Sequence, residues 1–352
     1  VLELNDLHVP TLKALEAIYR DDANDASLFE ILEKLASTAE SDEARAAYTA
    51  DMAQLAQSSL GRPEDAVDLW EDVLMVAPQH VHAVQELQEL LQALERWEPL
   101  AEAYERELRM ELADGERSLM LYRALGRLWQ GQLEDTHQAQ NYWEKARDAT
   151  ADFDREIYEA LRELYAENFV LEGLGKTLEA QLASDAYDEA DQLTLWRELA
   201  ELRTNQLNDA PGAIEAWRVV MDFVPSDEAA IENLEILYER ETRWADLVGL
   251  NRAKLAFVED DEDAVEILTA IAQIHEQRLS DPATMAATLE EVLARDSAHE
   301  EASYRLQQYY EGAEEWEPLN DLLTRRDQVL EEPEDRLANL QRLAGIRETK
   351  LE

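Results

Sequence analysis

The amino-acid sequence predicts an all-α protein built from antiparallel helix pairs, with about 19 helices. Leu, Ala and Glu are the most abundant residues, and all three favour helices, as do Gln and Arg. Only 10 Gly and 9 Pro interrupt 352 residues, so signals for strands and tight turns are few. Apolar residues recur at helical spacing, and the whole pattern repeats about every 73 residues, which is typical of a stacked repeat array.

Three sets of markers carry this period. The first set closes a helix before a polar turn and comprises Leu60, Leu133, Leu207 and Leu279, at spacings of 73, 74 and 72 residues. The second set follows ten residues later and comprises Trp70, Trp143, Trp217 and Leu289. The third set comprises Trp97, Phe169, Trp244 and Trp316, at spacings of 72, 75 and 72 residues, and its three tryptophans are expected to open the fourth helix of their units. Markers that agree on one period indicate one repeating packing arrangement.

The period divides the chain into a half unit, four repeat units of four helices each, and the start of a fifth unit. The expected boundaries are 1–41, 42–116, 117–188, 189–263, 264–333 and 334–352. No Gly/Ser-rich linker separates them, so we expect one continuous array. Because the array starts and stops within a repeat and its closing helix keeps an apolar stripe, we expect a piece of a longer chain.

The third unit shows how the elements follow from local sequence. Its first helix carries an apolar stripe through Leu195, Leu199, Leu202 and Leu207. Asp209 is a predicted N-cap of the second helix, with Pro211 in the first turn. Pro225 ends that helix, and Ser226 or Asp227 is expected to cap the third. The tryptophans of the second marker set are expected in the packed core.

The second unit carries the clearest family pattern. Its first helix has a Leu-Gly pair and a later aromatic residue, and its second helix has small and aromatic residues at fixed spacing. These residues are Leu125, Gly126, Trp129, Ala139, Trp143 and Ala146. The first half of each unit therefore resembles the tetratricopeptide (TPR) repeat. The alternate halves are degenerate, since Gln88 replaces the glycine in the first unit. The pattern is also similar to long, Trp-containing TPR arrays of bacteria.

The resemblance implies a right-handed superhelix of helix pairs whose concave groove binds peptides or partner proteins, and it implies a scaffold, not an enzyme. TPR geometry places the first helix of each pair on the inside of the groove. The candidate groove residues are Arg123, Arg127, Gln130, Arg197, Glu201, Arg203, Asn205, Gln273 and Gln277. Because arginine is enriched on two of these helices, we expect a locally basic or mixed inner face that prefers a carboxylate-bearing peptide.

The charge balance limits the class of partner. The chain has 80 acidic and 32 basic residues, a formal net charge of -48. This charge disfavours binding to nucleic acid or to anionic membranes. Three interpretations stay open: a solvated surface of a salt-adapted protein, an acidic groove for a basic partner, and a DNA mimic or chaperone for basic proteins.

No motif predicts catalysis, a cofactor or a metal site. Cysteine is absent, and no apolar stretch approaches the roughly 20 residues of a membrane span. His80 and His82 point to different sides of a helix, so they cannot share a metal. The expected function is a protein-interaction scaffold without a cofactor. The alternative is a rod or fibre formed by self-association of open ends. The compartment is not predicted.

Overall fold

The structure, a computed structural model, describes residues 7–110 and 113–351. Within these ranges there are nineteen α-helices and no strand. The chain divides between Thr177 and Leu178 into two compact units, here the N-terminal and C-terminal halves. Helices that follow one another along the chain within each half pack together across short turns. The predicted all-α fold of TPR-like helix pairs is confirmed.

The N-terminal half contains α1 (Val9–Asp21), α2 (Asp25–Ser37), α3 (Asp42–Ser58), α4 (Pro63–Val76), α5 (Val81–Ala93), α6 (Trp97–Arg109), α7 (Gly115–Gly131), α8 (Thr136–Asp148) and α9 (Arg155–Glu167). Helix α10 (Leu171–Leu182) spans the division. The C-terminal half contains α11 (Glu189–Asn205), α12 (Ala210–Phe223), α13 (Glu228–Arg240), α14 (Trp244–Lys254), α15 (Asp261–Gln277), α16 (Pro282–Arg295), α17 (Glu300–Gly312), α18 (Trp316–Val329) and α19 (Pro333–Thr349).

Helix length follows the repeat. The first helices of the units are α3, α7, α11, α15 and α19, and each has 17 residues. The third helices α5, α9, α13 and α17 each have 13 residues, as does α1. That all units form one continuous array stays a prediction.

Every turn inside a helix pair uses one residue in the left-handed conformation. These residues are Ala23, Gly61, Glu95, Glu134, Phe169, Asn208, Thr242, Ser280 and Glu314, with φ between 51° and 64°. The turn is closed by backbone hydrogen bonds of the helix C-cap type. In the α5–α6 turn, for example, the amide of Arg96 donates to the carbonyl of Leu91 at 2.9 Å. Only one of the nine positions is glycine, so most of these turns carry backbone strain.

The expected tryptophan core is present. Trp70, Trp143 and Trp217 are each 1% exposed. Each indole Nε1 donates to a side chain 13 residues earlier on the first helix of its pair, at 3.3, 3.1 and 3.0 Å respectively. The three indoles therefore share one environment, which confirms that they occupy a single recurring packing position.

The third set of markers is wrong at one position. Trp97, Trp244 and Trp316 are the first residues of α6, α14 and α18. Phe169 instead takes the left-handed turn position before α10 and is 81% exposed. Leu171, the first residue of α10, is the equivalent of the three tryptophans. The aromatic residue matched the period, but it lies two residues out of helical register.

Two third helices are capped by aspartate. Asp154 caps α9 and Asp227 caps α13, each accepting from a backbone amide three residues later. Each aspartate also accepts from an arginine on the preceding first helix, Arg123 or Arg197. Asp209 caps α12 as predicted, and Pro211 lies in its first turn. The aspartate caps therefore also join neighbouring helix pairs.

Two other third helices are capped by histidine. The Nδ1 atoms of His80 and His299 accept from the amides of Ala83 and Ala302 at 3.1 Å. At the position of the arginine in those units stand Ala50 and Thr269. Third helices capped by aspartate therefore have an arginine on the preceding first helix, and those capped by histidine do not.

Candidate interaction groove

In the N-terminal half, side chains join each odd-numbered helix to the next. Arg20 of α1 donates to Asp51 of α3 at 2.6 Å, and Gln57 of α3 donates to Glu86 of α5 at 3.1 Å. Further along the same row, α5 joins α7 and α7 joins α9, through Arg117–Gln88 at 2.9 Å and Arg127–Glu156 at 2.6 and 2.7 Å. Polar side-chain contacts therefore join the odd-numbered helices of this half in a row, although a cavity of about 320 Å³ lies beside the Arg20–Asp51 contact.

The joint between α5, α6 and α7 is the most buried of these contacts. Arg117 donates to both Gln88 and Glu107, and the latter two side chains are 4% and 6% exposed. Burial acts to raise the pKa of Glu107, but hydrogen bonds from Arg117 and Gln88 outweigh it and leave the pKa below its usual value. The carboxylate is therefore held ionised inside the joint.

In the C-terminal half, the same row has one gap. Arg197 joins α11 to α13 at 2.5 Å, Arg305 joins α17 to Glu276 of α15 at 2.6 Å, and Arg342 joins α19 to Glu311 of α17. No side-chain hydrogen bond joins α13 to α15 in the part of the chain that the structure describes. A cavity of about 520 Å³ opens at this joint.

The cavity, here called the α13–α15 groove, is lined by three helices. Its apolar surface comes from Leu247 on α14 and from Ile267 and Ile274 on α15, and its polar rim includes Glu235 and Glu239 on α13. Leu247 is buried. The groove therefore combines an apolar floor with an acidic edge.

Helix caps and the core fix the walls of the groove. Asp227 caps α13 through the amide of Ala230 at 2.8 Å, and Asp260 caps α15 through the amide of Glu262 at 2.9 Å. Tyr238 anchors α13 in the core, where burial raises its pKa although nearby arginines act in the opposite direction. Contacts within the chain thus hold both walls of the groove.

The charges of the groove are only partly balanced. Lys254 donates to Glu235 at 2.5 Å, and the guanidinium of Arg278 lies 4.8 Å from the ring centroid of Trp244. Glu239 and Glu266 are exposed and form no ion pair among the described residues. The groove therefore keeps unpaired negative charge beside its apolar floor.

The candidate residues on α7 face the third helix α9. Arg123 and Arg127 pair with Asp154 and Glu156. Gln130 accepts from the indole of Trp143. These polar groups already have partners within the chain, so a carboxylate-bearing peptide would have to displace those partners.

The candidate residues of the C-terminal half lie in four places. Arg197 pairs with Asp227 on the odd row, whereas Arg203 lies against the first turn of α12, donating to the carbonyl of Gly212 at 3.2 Å. Glu201 and Asn205 are exposed on α11. Only Gln273 and Gln277 line the α13–α15 groove, where both are exposed.

Sequence reasoning missed Glu235, Glu239 and Ala270 as groove residues. A signal was present, because 72 residues later the chain has Gln307, Glu311 and Arg342 at the same repeat positions. The signal becomes clear only when the third helix of one unit is placed beside the first helix of the next unit. The pattern within a single first helix, which contains the candidate residues, does not show this relationship.

Other kinds of site find no support in the described ranges. Across residues 7–110 and 113–351, no group of three or more His, Asp or Glu side chains is placed to hold a metal ion. None of the helices in those ranges is long and apolar enough to cross a bilayer.

The helix pairs and the indole packed on Gly126 define a TPR-like helical-repeat fold, and a groove lies between α13, α14 and α15. No family model and no curated protein matches the chain. Solved structures similar to it include Naa15/Naa10 bound to HypK-THB (13% identity, TM-score 0.40, 98% of this chain and 62% of that chain). The P58(IPK) TPR domain is 13% identical with a TM-score of 0.28, and the match covers 97% of this chain and 99% of that chain. Yeast Tom70 is 12% identical with a TM-score of 0.29, and the match covers 97% of this chain and 96% of that chain. At such identities these likenesses say nothing about the partner.

Proposed function

We propose that this chain is a protein–protein interaction scaffold that binds a segment of a partner protein along its odd-numbered helices. The α13–α15 groove is the observation that carries the proposal. It is the gap in an otherwise bridged row of the C-terminal half, and it offers an apolar floor with a polar rim. A segment laid into such a cleft buries apolar side chains and keeps its polar groups at the rim.

The chemistry of the groove supports binding more than catalysis. The described residues that line it include no serine, threonine, tyrosine or histidine. Its lysine is already paired with Glu235. A nucleophile and its base need to lie within hydrogen-bond reach of each other, and no such pair faces this cleft.

Site-specific photo-crosslinking tests the proposal. A benzophenone side chain is placed at Gln277 in the groove and, as a matched control, at Met75 on α4, which is 78% exposed and lies outside the odd row. We expect one identifiable partner segment to form adducts at position 277 and not at position 75. Equal labelling at the two positions, or none at position 277, would contradict the proposal.

Self-association is a second candidate, because α19 exposes apolar side chains. Leu337 and Leu340 are 58% and 42% exposed, whereas Leu268, the repeat equivalent of Leu340 on α15, is 1% exposed. Association through this face would be seen in sedimentation velocity as growth with concentration. The double variant Leu337→Lys, Leu340→Lys would abolish that growth if the face is responsible.

A further inference from the structure

We propose that the α13–α15 groove receives an arginine side chain of the partner segment, with the guanidinium held at Glu235 and Glu239. The inference rests on the proposed function and specifies the chemistry of its partner. It is drawn from the chain itself, which fills the equivalent space at another joint with its own arginine.

The joint between α17, α18 and α19 repeats the groove 72 residues later. There Arg342 of α19 donates from Nη1 to Gln307 at 2.7 Å and pairs with Glu311. Gln307 and Glu311 are the repeat equivalents of Glu235 and Glu239. The receptor for a guanidinium is therefore present on α13 as it is on α17.

A second contact shows that the two joints are equivalent in space as well as in sequence. Arg278 lies 4.8 Å from the ring centroid of Trp244, and Lys350 lies 4.5 Å from that of Trp316. Trp316 lies 72 residues after Trp244, and Lys350 lies 72 residues after Arg278. The first helix of the following unit therefore meets the fourth helix in the same way at both joints.

What differs is the residue that fills the space. Ala270 is the equivalent of Arg342, and it lines the groove as an exposed small side chain. The joint of the N-terminal half is also filled by an arginine of the following helix, since Arg117 reaches Gln88, the equivalent of Gln307. At both filled joints the third helix meets a guanidinium. At the α13–α15 groove the one arginine of the lining, Arg278, lies over the ring of Trp244 on α14, and no hydrogen bond or ion pair joins it to α13 among the described residues.

The charge of the groove favours the same occupant. Glu235 carries a negative charge where Gln88 and Gln307 are neutral, and Lys254 balances that one carboxylate. Glu239 and Glu266 stay without an ion pair among the described residues, and Arg278 lies over the ring of Trp244. The lining thus has three acidic and two basic side chains, and one added cation would neutralise it. Arginine suits it because a planar guanidinium can bind two acceptors at once. Ile267 and Ile274 offer apolar contact to the stem of that side chain or to a neighbouring apolar residue.

Short peptides test the inference directly. The probes share a Gly-Leu-X-Leu-Gly frame, blocked at both ends, in which X is arginine, citrulline or glutamate. Citrulline has the shape of arginine without its charge. Titrations followed by NMR at the Trp244 indole should show the arginine peptide binding roughly tenfold or more tightly than the citrulline peptide, and no binding of the glutamate peptide.

Two variants complete the experiment. Ala270→Arg supplies the missing guanidinium from within the chain and should abolish binding of the arginine peptide. Met75→Arg adds the same charge on an exposed position of α4 and should leave binding unchanged. The inference is overturned if citrulline and arginine peptides bind within twofold of each other, or if Ala270→Arg binds as the parent does.

Failure of this inference is distinguishable from failure of the proposed function. If photo-crosslinks at Gln277 identify a partner segment that carries no arginine, the groove is a docking site and the arginine proposal is wrong. If no segment reaches position 277 and the arginine peptide does not bind, both proposals fail.

Discussion

Trp143 packs its indole directly against the backbone of Gly126, so that a Cβ atom on this glycine would stand 2.7 Å from Cε2 of the ring. The close approach joins α7 to α8 at the Gly126 and Trp143 positions of the TPR pattern. The units with Trp70 and Trp217 carry Ala53 and Ala200 at the glycine position, and both are fully buried. A small buried residue therefore stands at this position of the first helix in all three units.

The first prediction follows from this contact. Gly126→Ala should lower the free energy of unfolding by about 1–3 kcal/mol, because the buried indole must shift to admit the methyl group. A Cβ atom added to Gly249 on α14 would meet no heavy atom within 4 Å, so Gly249→Ala should stabilise by about 0.5–1 kcal/mol. Thermal and urea unfolding of the two variants measure the difference. Equal effects of the two substitutions would contradict the packing described here.

The left-handed turns give the second prediction. Phe169 holds φ of 56° with its ring exposed, so Phe169→Asn should stabilise the chain by about 0.5–1 kcal/mol through relief of strain. Gly61 sits at the equivalent position in another pair with φ of 64°, and Gly61→Ala should destabilise by about 1 kcal/mol. The melting temperatures should therefore move in opposite directions. A lower melting temperature for Phe169→Asn would show that the ring stabilises the turn.

Three buried tyrosines give the third prediction. Tyr142, Tyr165 and Tyr310 donate to glutamates at 2.5, 2.9 and 3.0 Å. Burial and these carboxylates raise the pKa of all three, that of Tyr165 to about 12. The raised pKa means that the folded state favours neutral tyrosine, so this stabilisation is complete below the unfolded value of about 10 and is lost as the pH rises through the folded value.

The free energy of unfolding should therefore fall between pH 10 and about 12, and fall less steeply in Tyr165→Phe, which has no proton to lose at this site. Absorbance of tyrosinate near 295 nm follows the titration, with the roughly 10 of an ordinary tyrosine as reference. If the parent and Tyr165→Phe lose stability with the same slope, the buried hydroxyl is not linked to folding.

The fourth prediction concerns the caps of the third helices. Ala50→Arg with His80→Asp introduces in the first unit the pair that Arg197 and Asp227 form in the third. The double variant should raise the free energy of unfolding by about 0.5–1 kcal/mol, since it adds a charge-assisted hydrogen bond to a good N-cap. His80→Asp alone is the control and should gain less. A double variant no more stable than the single one would show that the two positions do not meet.

The sequence was enough to predict the helices, their period and the shared environment of the tryptophans, because burial imposes a pattern on each helix. It was insufficient for Phe169, since a turn position and a helix start two residues apart both fit the period. The sequence also did not predict which side chains pair between neighbouring helices. Whether Arg197 is free or tied to Asp227 depends on how the third helix lies beside the first, and no pattern within one helix reports that.

The central claim is that residues one repeat apart occupy equivalent places, so that Ala270 faces Glu239 as Arg342 faces Glu311. A double-mutant cycle with Ala270→Arg and Glu239→Gln measures this directly. We predict a favourable coupling of about 0.5–1 kcal/mol, the range of a partly exposed ion pair, which shrinks in high salt. A coupling of zero would mean that an arginine at position 270 does not reach Glu239, and it would contradict both the register and the proposed arginine site.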